Sequence, residues 1–168
     1  MTISMYSASV PLIKQMLGAL SGVLGKAAEN ATARKIDPSV FVTARLAPDM
    51  FTLARQVQVA ADMSKGGIAR LAGVEIPKYE DDETTLEALQ ARLAKTIAFI
   101  DSIPAAQLDG TEDKAITIQV RQTDMHFTGQ RYLLGWVIPN VMFHITTAYN
   151  ILRHNGVEIG KRDYLGAF

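Results

Sequence analysis

Apolar residues recur at intervals of three and four positions in four long stretches of the chain, which is the spacing of one face of an α-helix. In the first stretch this spacing is kept by Tyr6, Val10, Ile13, Leu17, Leu20 and Leu24. Pro11 lies inside the stretch and either occupies the first turn of a helix capped by Ser9 or kinks a longer helix that begins near Ile3. We expect the longer, kinked helix.

The second stretch follows Pro48 and has a narrow apolar seam, in which small residues allow another helix to approach closely. The seam consists of Met50, Leu53, Val57, Ala61, Ser64, Ile68 and Leu71. Gly66 and Gly67 are expected to weaken the last turns of this helix, by about 1 kcal/mol each relative to alanine. Gly73 is expected to end it.

A charged connector, residues 74–83, separates the second stretch from the third. The third helix is predicted to open with Thr84 and Glu87 in the spacing of a capping box and to end at Pro104. Its apolar positions are Leu86, Leu89, Leu93, Ile97 and Ile100.

The helical spacing is lost over residues 105–135. There Ile116, Ile118 and Val120 alternate with polar residues, and a turn-like segment follows them. This pattern predicts a small β-hairpin between the third and fourth long helices. A hairpin is marginally stable alone, so it must pack on the helices or on a second subunit.

The fourth helix is predicted from about Pro139 to about His154. Asn155 or Gly156 can take the left-handed conformation after it, and Val157 can cover its last turn in a Schellman motif. The predicted class is therefore all-α: a four-helix bundle with a small β-hairpin insertion, formed by residues 1–168 as a single domain.

Composition narrows the possible functions. The 168 residues include 17 basic and 17 acidic side chains, so there is no net charge to attract nucleic acid. The chain has no cysteine, which removes thiolate nucleophiles and thiolate metal ligands. No apolar run approaches the roughly 18 residues of a membrane-spanning helix. We expect a cytoplasmic protein that binds neither nucleic acid nor membrane.

His144 is the candidate functional residue, because it falls in the middle of the apolar face of the fourth helix. A buried imidazole requires a hydrogen-bond partner, which makes His144 a satisfied core residue, a metal ligand or a catalytic base. A helix offers a metal two ligands at positions i and i+4, but the position four after His144 is Ala148. His126 and His154 are poorly placed to substitute.

A polar group on the second helix is the other candidate. Gln58 and Asp62 form an i, i+4 pair between Arg55 and Lys65, and the alternative is that all four belong to a solvated face. The sequence contains no P-loop, no dinucleotide-binding glycine motif, no nucleophile elbow and no zinc-protease helix motif.

Two long segments carry a family resemblance: "RLAPDMFTLARQVQVAADMSKGGIARLAGVEIP" at 45–77 and "IPNVMFHITTAYNILRHNGVEIGKRDYLG" at 138–166. With them the chain resembles an uncharacterised bacterial family within the DinB/YfiT-like superfamily of four-helix bundles. The resemblance implies an up-down-down-up bundle that is commonly a homodimer. In better-understood members it implies zinc or nickel held by three histidines, and several of those members are thiol-dependent transferases or related metal-dependent enzymes.

The implied metal ligands are one histidine on the second helix and a His-x-x-x-His pair on the fourth. His144 matches the first histidine of the pair, Ala148 stands at the second, and the counterpart on the second helix lies near Gln58 or Asp62. One ligand of three remains, so no cofactor is predicted. A divalent zinc or nickel ion is the alternative.

The predicted function is a dimeric small-ligand-binding or scaffold protein with a degenerate metal site lined by His144, Tyr149 and Gln58. The alternative is a metal-dependent or thiol-dependent transferase or hydrolase with a rebuilt site, in which His144 acts as acid or base beside Asp62 or Arg55. The helical wheel places Arg55, Gln58 and Asp62 away from the seam, which weighs against this enzyme.

The homodimer is expected because the hairpin and the C-terminal tail need a surface to cover. Tyr164, Leu165 and Phe168 are the apolar anchors of that tail.

Overall fold

The structure is a computed structural model that describes residues 3–167. Its helices are α1 (Val10–Arg34), α2 (Ser39–Thr43), α3 (Leu53–Ala72), α4 (Leu86–Asp101), α5 (Gly129–Tyr132), α6 (Ile138–His154) and α7 (Lys161–Leu165). Ala105–Gln107 forms a short 3₁₀ turn, and Leu133–Val137 forms a π-helical turn that joins α5 to α6. The strands are β1 (Ala115–Val120) and β2 (Thr123–Thr128). The protein is thus mostly helical, with one small antiparallel hairpin in the described residues.

The four long helices share one core. Helix α3 packs against α6 and α4, and α1 packs against α4 and α6, so that each buries its apolar face. The predicted seam of α3 is confirmed from its second member onward, since Leu53, Val57, Ala61, Ser64, Ile68 and Leu71 are all fully buried. Met50 precedes the helix. Within residues 3–167, none of the helices is long and apolar enough to cross a bilayer.

Helix α1 begins at Val10, so the longer helix kinked at Pro11 is wrong. Pro11 lies in the first turn, where its missing N–H costs no hydrogen bond. Residues 4–9 form separate turns instead. Ser9 occupies the capping position, but its hydroxyl donates backwards to the carbonyl of Met5 at 2.6 Å and does not cap the helix.

The start of α4 also differs from the prediction. Thr85 is the capping residue, and its hydroxyl accepts the backbone N–H of Ala88 at 3.1 Å. The capping box of Thr84 and Glu87 is therefore wrong by one residue. Two neighbouring threonines offer the same side chain, and the backbone of Thr85 is extended as a cap requires.

Gly67 has a packing role that its low helix propensity conceals. A Cβ built on Gly67 would lie 2.5 Å from Cγ1 of Val137, in the π-helical turn. The glycine therefore allows α3 to approach the start of the last long helix more closely than alanine would.

The hairpin is confirmed, and its packing face is now defined. Ile116 pairs with Phe127 and Ile118 with Met125, across a two-residue turn formed by Arg121 and Gln122, both at positive φ. Ile116 and Ile118 are buried in the core of the same chain. The hairpin accordingly finds its cover within the chain.

The C-terminal segment also folds back on its own chain. The predicted Schellman motif is confirmed: Val157 N–H donates to the carbonyl of Leu152 at 3.1 Å, and Gly156 has a φ of 87°. Helix α7 then packs on α1, where Gln15 donates to the carbonyl of Leu165 at 2.8 Å. The third predicted anchor, Phe168, lies outside the described residues.

Candidate functional site

His144 lies at the contact between α6 and α3 and is 8% exposed. Its Nδ1 is 2.7 Å from Oε1 of Gln56, which lies in the first turn of α3 and is 1% exposed. The amide nitrogen of Gln56 donates to the carbonyl of Phe51 at 3.4 Å, which turns the amide oxygen towards the imidazole. An amide oxygen only accepts, so Nδ1 carries the proton. Nε2 then holds the lone pair.

Burial lowers the pKa of His144 below its ordinary value, and the positive charge of Arg55 lowers it further. Both effects favour the neutral ring. The hydrogen bond to Gln56 selects one tautomer of that ring, because it requires a proton on Nδ1. The site therefore presents a neutral imidazole whose free nitrogen is a hydrogen-bond acceptor or a weak base.

This pKa makes stability depend on pH. Below the ordinary value of 6.5 the unfolded chain takes up a proton that the folded chain resists, so the free energy of unfolding should fall as pH falls below about 6.5 and level off above it. Urea denaturation between about pH 5 and pH 8 should show this slope in the wild type and a smaller one in His144→Gln. His154→Gln, which removes an exposed histidine, is the matched control. Equal slopes in all three proteins would contradict the assignment.

Two exposed aromatic residues contact the pair of His144 and Gln56: Phe143 through its ring and Phe51 through its carbonyl. Phe143 is 57% exposed and meets the His144 ring edge-on, with 5.2 Å between the ring centroids. Phe51 is 52% exposed, and the guanidinium of Arg55 lies over its ring at 5.9 Å. The surface around His144 and Gln56 thus carries two exposed aromatic rings and the charge of Arg55.

The sequence left open that the four polar residues of α3 form a solvated face, but two of them, Gln58 and Lys65, are buried. Gln58 is buried, and its amide donates to Oε2 of Glu83 at 2.9 Å. Arg55 pairs with Asp81 and also donates to Oε1 of Gln58 at 3.3 Å. Both side chains therefore face the connector between α3 and α4.

Asp62 is not a partner of His144. Its Oδ1 is 2.8 Å from Nη2 of Arg92 and 2.9 Å from Nζ of Lys65. A carboxylate held by two cations on the α4 side of α3 is engaged there, so the structure does not bring Asp62 to His144. Gln56, which the sequence analysis missed, takes that position.

Tyr149 lies apart from His144, although both were predicted to line one cavity. Its ring meets Tyr164 of α7 edge-on at 5.9 Å, and its hydroxyl donates to the carbonyl of Ile159 at 3.4 Å. It lines a different cavity of about 250 Å³. The grouping fails because Tyr149 follows His144 by five residues, which turns the two side chains to different faces of α6.

Arg92 of α4 is the second feature that the sequence analysis missed. Its side chain is 2% exposed, and Nη1 lies 2.9 Å from Oε1 of Glu83 and 2.8 Å from the carbonyl of Glu80. Nη2 lies 2.8 Å from Asp62 and 2.9 Å from Asp81. Although burial opposes its charge, the hydrogen bond to Glu83 and the charges of Asp62 and Glu83 raise the pKa of Arg92.

One ring lies against this ionic cluster. The ring of Tyr79 has Lys95 Nζ at 4.0 Å, Lys65 Nζ at 4.7 Å and the Arg92 guanidinium at 5.4 Å from its centroid. Nε of Arg92 has no hydrogen-bond partner in the described structure. The sequence did carry a signal: Arg92 stands three residues after Leu89 on the apolar stripe, close to the acidic run "EDDE".

The donor set at His144 does not fit the three-histidine metal centre of the superfamily. A zinc site needs at least three protein ligands, and here Ala148 supplies none, while the amide oxygen of Gln56 already accepts a hydrogen bond. Across residues 3–167, no group of three histidine or carboxylate side chains is arranged to hold a metal ion.

Comparison with known proteins shows that the fold is that of a DinB-like protein. The structure is similar to the crystal structure of a DinB family member protein from Shewanella denitrificans, with a TM-score of 0.89 and 43% sequence identity over 97% of this chain and 92% of that chain. Residues 5–165 match the model of the family described as "Domain of unknown function (DUF1993)", and the chain belongs to that family. No curated protein matches the sequence.

Proposed function

We propose that this chain is a DinB-like four-helix bundle that binds a small molecule beside His144, without the histidine-held metal of its superfamily. Its long helices follow the up-down-down-up order in a single domain of residues 1–168. The site is then a degenerate metal centre: the imidazole of His144 is retained, and it contacts the amide of Gln56 instead of a metal ion.

The observation that carries the proposal is the hydrogen bond from His144 to Gln56. Because Gln56 fixes the proton on Nδ1, Nε2 is an acceptor, and within residues 3–167 no protein group donates to it. A ligand that fits this surface has a hydrogen-bond donor for Nε2 beside an apolar group for Phe51 and Phe143. Sites with a few polar groups among aromatic side chains are typical of small-molecule binding.

Phenol is a simple probe of this chemistry, since it combines an O–H donor with an apolar ring. In NMR titrations, phenol should shift the resonances of Phe51, Phe143 and His144, whereas toluene, which lacks the donor, should bind several-fold more weakly. His144→Leu keeps the apolar surface, and it should remove the preference for phenol. Equal binding of phenol and toluene by the wild type would contradict the proposal.

We also propose that the protein is a homodimer. The hairpin and the tail find their cover within the chain, so the support is now a set of large apolar side chains that stay exposed: Ile3, Val40, Leu46 and Leu134. Sedimentation velocity at micromolar concentration should give the mass of a dimer, and a monomer would contradict it. Because a chain without cysteine suits a reducing compartment, we propose that the protein is cytoplasmic.

An enzyme built around His144 is the second candidate. Its support is the neutral ring with an oriented Nδ1–H, which leaves Nε2 free to accept a proton as a general base. A thiol-dependent transferase would consume glutathione with an aryl chloride in the wild type and lose that activity in His144→Gln. Equal rates in both proteins would exclude this role of His144.

A further inference from the structure

The connector between α3 and α4 is held on the helices by side chains. We call residues 77–85 the strap. In the described structure, residues 75–84 make no backbone-to-backbone hydrogen bond, and the one strap carbonyl bound by a side chain is that of Glu80, which accepts from Arg92 at 2.8 Å. Further attachment comes from the ionic contacts of Asp81 and Glu83, the hydrogen bond from Gln58 to Glu83 and the cations over the Tyr79 ring. A segment held in this way opens more easily than one tied by a backbone ladder.

Asp81 is placed between two arginines. Its Oδ2 pairs with Nη1 of Arg55, and its Oδ1 lies 2.9 Å from Nη2 of Arg92. Each carboxylate oxygen thus engages a different guanidinium, which is how a pair of arginines holds the oxygens of a phosphate or carboxylate ligand. Burial opposes the charge of Asp81, but the hydrogen bond and charge of Arg55, followed by those of Arg92, lower its pKa.

The charges around this position favour an anion once Asp81 withdraws. The cations Arg55, Lys65, Arg92 and Lys95 face the carboxylates Asp62, Asp81 and Glu83. Lys78, Glu80 and Asp82 line the adjacent groove, so five cations face four carboxylates once Asp81 has withdrawn. Asp62 and Glu83 still neutralise Arg92, so its burial does not depend on Asp81 alone.

There is also room beside Arg92 for the remainder of a ligand. A groove of about 410 Å³ lies along the strap, with Tyr79, Arg92 and Lys95 among its lining residues. Neither His144 nor Gln56 lines this groove, so a ligand here would not depend on the proposed site at His144.

We propose that Arg55 and Arg92 form a binding site for an oxyanion, a phosphate or carboxylate group of a small molecule, and that Asp81 of the strap occupies this site as an internal ligand. Binding exchanges the carboxylate of Asp81 for that of the ligand, and the strap opens to admit it. This goes beyond the proposed function, because it assigns a second site and its ligand class.

The test compares Asp81→Asn with Asp82→Asn, which makes the same charge change in the lining of the groove but leaves Asp81 on the two arginines. Calorimetric titration at low ionic strength, with inorganic phosphate and with succinate as probes, should show Asp81→Asn binding at least one probe about tenfold more tightly than the wild type. Asp82→Asn should gain much less affinity, because Asp81 still occupies the arginines. Phosphate alone or succinate alone as the ligand would tell which oxyanion the site takes.

The double variant Arg55→Gln/Asp81→Asn should lose the gained affinity, while circular dichroism confirms that each variant is folded. Hydrogen exchange adds a second readout: strap amides should exchange faster in Asp81→Asn and be protected again by the bound probe. An equal gain in Asp82→Asn would show a net-charge effect only. That result, a gain that survives loss of Arg55, or no binding by folded Asp81→Asn would overturn the proposal.

Discussion

Replacing Gly129 by alanine is expected to destabilise the protein by about 3 kcal/mol or more. A Cβ on Gly129 would lie 1.9 Å from the carbonyl oxygen of Thr111 and 3.3 Å from Cδ2 of Leu71. The obstacle is backbone, so no rotation of a side chain relieves it. The segment that joins the hairpin to α5 would have to move as a whole.

Chemical denaturation of Gly129→Ala and Gly22→Ala measures this effect against a control. Gly22 lies inside α1 with nothing within 4 Å of an added Cβ, so alanine there should be neutral or stabilise the helix by about 1 kcal/mol. A Gly129→Ala protein with the stability of the wild type would show that the backbone of Thr111 does not approach this position.

Replacing Arg92 by methionine should cost about 2–4 kcal/mol of the free energy of unfolding. Methionine keeps the buried stem of the side chain but leaves Asp62, Asp81 and Glu83 without their shared cation. Removing one partner from a buried ion pair costs about 3–5 kcal/mol. We expect somewhat less, because the Asp62 and Asp81 side chains are partly exposed to water that screens their repulsion.

The free energy of unfolding of Arg92→Lys should lie between those of the wild type and Arg92→Met, because a compact ammonium cannot contact three carboxylates at once. Lys14→Met is the control: it breaks a surface pair with Asp101 and should change stability by no more than about 0.5 kcal/mol. Urea denaturation measures all of these variants. An Arg92→Met protein that unfolds at the same urea concentration as the wild type would contradict the anchoring role of Arg92.

Periodicity predicted the parts of the fold that depend on burial. The seam of α3 and the strand alternation at Ile116 and Ile118 are local patterns whose apolar side chains must be hidden, and the structure hides them. The end of α6 was equally predictable, because it depends on the left-handed backbone conformation that Gly156 adopts and glycine favours. The start of α1 could not be predicted, because proline suits both the first turn of a helix and a kink within a longer one.

The candidate site was less predictable, because it depends on which helices pack together and on which of their turns lie opposite each other. His144 could be assigned to a buried stripe from its own helix, but its partner Gln56 is 88 positions away in the chain. Gln58 was preferred for its i, i+4 relation to Asp62, yet the α3–α6 contact turns Gln56 towards the imidazole. Arg92 stands between Leu89 and Leu93 on an apolar stripe, and the three carboxylates that it contacts belong to other segments of the chain.

We propose that His144 holds a proton on Nδ1 against Gln56 and binds no metal ion, and ¹⁵N NMR of the imidazole distinguishes these states of the ring. We expect a neutral ring at pH 7 with Nδ1 protonated and Nε2 bearing the lone pair, unchanged by a stoichiometric addition of zinc. A ring protonated on Nε2, or a His144 signal that moves to a zinc-bound position when one equivalent is added, would contradict it.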